Sequence, residues 1–116
     1  MGKLKFMTKE IERAFDRQGD TSMKSAGDIK VIAKWFNPTG VGTWYCYEYD
    51  KEDNTMWCFA NLGMPEFAEC GKVSIDEMKS FKDSRLGVGI ERDNFFPIGK
   101  YTLAEVRDKI KSGGHL

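Results

Sequence analysis

The chain has 116 residues, 41% of them hydrophobic and 13% aromatic, and its eighteen basic side chains balance eighteen acidic ones. That length accommodates one domain with a real core and excludes a second, and the composition excludes wholesale disorder. Zero formal charge excludes the whole-chain signature of a nonspecific nucleic-acid binder and that of an acidic nucleic-acid mimic, and no apolar run is long enough for a membrane span or a signal core.

Thr8 ahead of Lys9-Glu10-Ile11-Glu12 predicts an N-cap with acidic residues in the first turn, opening a helix over 8–18. Ile11, Ala14, Phe15 and Gln18 share one face of it at helical spacing, and Gly19 ends it. The polar stretch 19–27 predicts a loop, and it is the segment expected to move most. From Asp28 the period changes to two, predicting antiparallel strands over 28–73. Ile29 to Phe36 forms the first and Thr43 to Tyr49 the second. Thr55 to Asn61 is the third, and Phe67 to Val73 a fourth that Gly71 weakens or bulges. Ser74 and Glu77 match a capping box, as do Thr102 and Glu105. They predict a short helix over 74–82, with Met78 and Phe81 inward, and a last helix over 102–111 with Leu103, Val106 and Ile110 buried. A short strand over 87–92 lies between them, and the closing Ser-Gly-Gly-His-Leu is expected to fray. The fold class is α+β: a single domain with an antiparallel sheet of four to five strands and helices packed on one face.

Little catalytic machinery is on offer. Gly87-Val88-Gly89 lacks the third glycine of a dinucleotide fingerprint, and Gly99-Lys100-Tyr101 lacks the rest of a phosphate loop. The sole histidine, His115, is one residue from the end of the sequence. Cys46, Cys58 and Cys70 are odd in number, and no C-x-x-C or C-x-x-H pair accompanies them. They read as buried reduced thiols in a reducing cytoplasm, so no metal, cofactor or catalytic residue is assigned.

Carboxylates and aromatics remain. Glu48 and Glu91 sit in apolar strand-like runs, where an isolated charge needs a partner, and Arg92 and Lys72 are the candidates. Trp44 and Tyr45 cannot face the same way on a strand, so the Tyr45-Tyr47-Tyr49 row is expected to meet either helices or solvent. On the solvent side it would offer a protein-binding surface, because tyrosine supplies contact area at low entropic cost.

Three stretches taken in order, "KWFNPTGVGTWYCYEYD", "EFAECGKVSIDEM" and "LGVGIERDNFFPIGKYTLAEV", resemble an uncharacterised bacterial family, the domain of unknown function 2958. The positions that carry the resemblance are Thr43-Trp44-Tyr45 with Glu48, Glu66 and Glu69 before the serine-capped helix, and Gly87 with Ile90 to Asp93. Where the family carries Gly-Tyr ahead of the serine segment, this chain has Gly71-Lys72. Such domains occur in plasmid, conjugative-element and phage-like settings, so the resemblance implies an accessory protein acting inside a bacterial cell.

Two functions fit these features. One is a module that binds a host protein such as a defence factor; the other is a ligand-binding or hydrolytic protein built on a Glu48/Glu91/Arg92 pocket. Either way the "TWYCYEYD" strand and the "IERD" segment are expected to be neighbours. The expected contact residues are Trp44, Tyr45, Tyr47, Glu48, Tyr49, Glu66, Gly87, Glu91, Arg92 and Asp93. A host protein is the expected partner and a small molecule the alternative. Nucleic acid and membrane are not expected, and the oligomeric state is open.

Overall fold

The structure, a computed structural model describing residues 5–82 and 86–116, is an α+β domain. Its elements are α1 (Lys9–Gln18), β1 (Ala33–Phe36), β2 (Thr43–Asp50), β3 (Thr55–Asn61), β4 (Glu69–Ser74), α2 (Ile75–Ser80), β5 (Glu91–Arg92) and α3 (Leu103–Lys111). The five strands form one antiparallel sheet in the order β4-β3-β2-β1-β5. The capping residues act as their chemistry dictates: Thr8, Ser74 and Thr102 each accept from the backbone amide three residues on. At Thr102 the Glu105 carboxylate also closes the reciprocal half of the box.

Helices cover both faces of the sheet, which corrects the one-face expectation. Ile11, Ala14 and Phe15 of α1 and Ile75 and Met78 of α2 pack on one face with Trp35, Cys46, Met56 and Cys58. Leu103, Val106 and Ile110 of α3 pack on the other with Tyr45, Tyr47 and Phe59. The reason is the near-continuous apolar character of the central strands, which leaves no wet face to expose. Phe81, expected inward, is exposed, because α2 ends at Ser80 and the chain turns outward.

The first strand is shorter than its alternation suggests because its early part pairs elsewhere. Val31 and Ile29 exchange backbone bonds with Gly99, Tyr101 and Leu103, and only from Ile32, which donates to Cys46, does the chain join β2. Strand β4 runs against β3 in unbroken register through Gly71, so the expected irregularity there is absent. It lies in β2 instead. Cys46 faces Cys58 and Glu48 faces Trp57, which leaves Tyr47 as an extra residue in a β-bulge. The Tyr47 carbonyl, displaced from the ladder, accepts from Gln18 Nε2.

Register also overturns the reduced-cysteine reading for two of the three. Cys46 and Cys58 are directly opposed on the same face, with Cα atoms 4.0 Å apart, and form a disulfide. Cys70 is free and exposed. The inference of a reducing compartment, drawn from buried thiols, loses its footing.

Candidate functional site

The bulge dismantles the tyrosine row. Tyr45 and Tyr47 are buried under α3, whereas Tyr49, shifted to the opposite face, packs on Phe15 of α1 with ring centroids 6.0 Å apart. The row is therefore not a solvent-facing contact surface. Burial pushes the Tyr47 phenol up from its ordinary value, reinforced by the neighbouring Cys70 thiol and by the nearby Glu48 charge. Burial raises Tyr45 as well, and the nearby Asp93 charge acts in the same direction. A raised phenol pKa favours the protonated folded form, so this stability is fully present below the ordinary value of 10.0 and is lost as pH climbs past it. Unfolding above about pH 10 should therefore accompany tyrosinate formation. A spectrophotometric titration of Tyr47→Phe should show a shallower alkaline loss, and one that superimposed on the parent curve would remove Tyr47 as a cause.

Glu48 finds neither of its expected partners. Its Oε1 accepts from the backbone amide of Thr21 at 2.9 Å and from the Thr21 hydroxyl at 2.6 Å. Thr21 is itself buried, so the carboxylate pins the loop expected to move most. Lys72 pairs with Asp50 and Asp53. Arg92 is buried and donates through Nε to the Lys5 carbonyl at 3.0 Å and through Nη1 to Asn94.

Glu48 and Glu91 do not share a site. Glu91 faces Phe36, which faces Thr43 at the start of β2, whereas Glu48 lies five residues further along. Strand geometry separates them by roughly 17 Å along the sheet and two strand spacings, about 10 Å, across it. Of four recesses formed by the described residues, none is lined by both. Glu66, in a 3-10 turn over Pro65–Phe67, is exposed, its carbonyl accepting from Lys111. Asp93 pairs with Lys34 at 3.4 Å.

Another subset does come together. Arg92 faces Trp35, and Trp35 faces Trp44, in one row across β5, β1 and β2 on the α1/α2 face. Two recesses border this row on either side of Ile90. One, of about 370 Å³, is lined by Phe6, Lys79, Lys82 and the Gly87–Arg92 segment. The other, of about 440 Å³, is lined by Trp44, Val73, Met78, Phe81, Ile90 and Val41 among others. Gly42 makes the second possible: its φ is +127°, and a Cβ there would lie 2.8 Å from the Trp44 ring. Phe81 and Val41 are exposed at the rim of this trough, and Trp44 is half-buried. Sequence reading named Trp44, Gly87, Glu91 and Arg92 here. It missed Phe81, which it placed inward on a helix over 74–82, and Val41, whose only signal was an apolar residue in a turn.

Chemically the trough has an apolar floor with lysines and carboxylates at its edge, suited to holding an apolar group. Among the described residues no group of three His, Cys, Asp or Glu is placed to hold a metal ion, and no helix is long and apolar enough to cross a membrane. No curated protein and no solved structure matches the chain. One family model does, over residues 6–115: the protein of unknown function (DUF2958). A match across nearly the whole length shows that this α+β chain belongs to the DUF2958 family.

Proposed function

We propose that the protein is an accessory factor of a phage or other mobile element that binds a host protein inside the bacterial cell, a defence factor being the kind of target that suits such a role. The supporting observation is the trough beside Ile90. Trp44, Phe81 and Val41 line one apolar recess on a chain whose basic and acidic side chains balance, and aromatic anchors of this kind supply most of the energy in protein interfaces. The tyrosines offered from sequence do not line it: Tyr45 and Tyr47 are buried under α3, and Tyr49, half-buried, packs on Phe15 of α1.

Affinity capture from a bacterial lysate, with the bound proteins identified by mass, tests the reading. The recovered partner should bind Trp44→Ala and Phe81→Asp variants more weakly by about thirtyfold, the loss expected of a central interface anchor. Full capture by both variants, each still folded, would sink the trough as the contact surface.

A further inference from the structure

On the α3 face, opposite the trough, lies a recess of about 340 Å³ whose lining includes Lys34, Phe36, Thr43, Tyr45, Asn61 and His115. At its edge two donors converge on one oxygen. Lys34 Nζ donates to the main-chain oxygen of Leu116 at 2.6 Å, and the Tyr45 hydroxyl donates to the same atom at 3.3 Å. The lysine is held in place by its surroundings: Asp93 lies 3.4 Å from Nζ, and the ammonium sits 5.6 Å from the Tyr45 ring centroid.

The oxygen arrives by a built reversal. Beyond α3 the amides of Gly113 and Gly114 bond back to Ile110 and Lys109, and Gly113 has φ +93°. A Cβ at Gly114 would lie 2.8 Å from the Lys109 side chain. The turn returns Leu116 to the core cluster under α3, where its side chain is half-buried, so the segment expected to fray is seated.

We propose that this recess is a binding site for a small organic carboxylate. One carboxylate oxygen takes the position that the Leu116 oxygen holds here, between Lys34 and Tyr45, and residues 113–116 act as a strap that competes for it. The chemistry is that of a half-buried ammonium and a buried phenol, both donors, with an aromatic and amide-lined volume behind them. Asp93 sets the charge: with Lys34 already paired, the site is near neutral, which favours a singly charged carboxylate over a phosphate dianion. The strap, being tethered, has a high effective concentration, so loosening it should strengthen binding of a free ligand.

The test is a titration of the full chain with N-acetyl-leucine, followed by the Leu116 methyl and His115 ring resonances. Those signals should move to the positions of a released strap, with N-acetyl-leucine amide and inorganic phosphate far weaker. Leu116→Gly, which removes the strap's side-chain anchor, should bind severalfold more tightly. Lys34→Met should lose binding, and Tyr45→Phe, which keeps the buried ring, should weaken it even if Lys34→Met folds poorly. Unmoved Leu116 signals at millimolar ligand, with no binding to Leu116→Gly, would overturn the site. So would phosphate binding more tightly than the carboxylate, or unchanged affinity in both Lys34→Met and Tyr45→Phe.

Discussion

Trp35→Ala should destabilise the protein by about 3–5 kcal/mol, the usual cost of deleting a fully enclosed large aromatic side chain. Trp35 has no solvent exposure, stacks on Phe6 with centroids 5.2 Å apart, and donates from Nε1 to the Phe6 carbonyl at 3.0 Å. It sits at the centre of the row that joins Arg92 to Trp44, so the cavity left behind opens beneath both recesses of the trough. Trp35→Phe separates packing from the bond. It keeps most of the buried area, should cost about 1 kcal/mol for the lost hydrogen bond, and should release Phe6. Denaturant unfolding of the two variants, with hydrogen exchange over residues 5–8, reads both effects. A cost below about 1 kcal/mol for Trp35→Ala would mean that the row does not organise the core.

Removing the disulfide should have the second-largest effect. The Cys46→Ala, Cys58→Ala variant should lose about 3 kcal/mol, as expected for closing a loop of this size in the unfolded chain, and its midpoint should fall by roughly 10 °C. The twelve-residue separation spans the β2–β3 hairpin, and both sulfurs are fully buried, so lost packing adds to the effect. Reduction of the parent chain should move its midpoint in the same direction, whereas the variant should be insensitive to reductant. Intact-mass measurement after alkylation under native and denaturing conditions should find only Cys70 labelled. Three labelled cysteines, or a parent chain indifferent to reductant, would return all three to the reduced state.

The two effects differ in where they act. Trp35→Ala acts on the native state by opening a cavity, so the lost stability should scale with the volume left unfilled. The disulfide acts chiefly on the unfolded chain, so its loss should leave the native contacts of β2 and β3 largely in place. Partner capture through the trough should therefore survive loss of the disulfide at permissive temperature and suffer in Trp35→Ala, since Trp44 and Arg92 both flank Trp35.

Much of the fold was legible because it rests on local rules. Thr8, Ser74 and Thr102 announce helix starts because a hydroxyl there satisfies an amide that the helix cannot. The Thr55–Asn61 strand and its partner show because apolar alternation and the Asp-Lys-Glu-Asp-Asn turn are properties of neighbours in the chain. Those rules determined the α+β class and most element positions. They could not determine which face a residue joins, because one extra residue reverses every side chain beyond it. Tyr47 is that residue: its bulge sends Tyr49 to α1, leaves Tyr45 under α3, and breaks a contact surface that strict alternation implied. Pairing register likewise brought Cys46 onto Cys58, gave Glu48 to Thr21 rather than to a cation, and set Glu91 two strands and five residues away from it. Such pairings join residues distant in sequence, and their energies depend on the assembled sheet, so only the tertiary structure decides them.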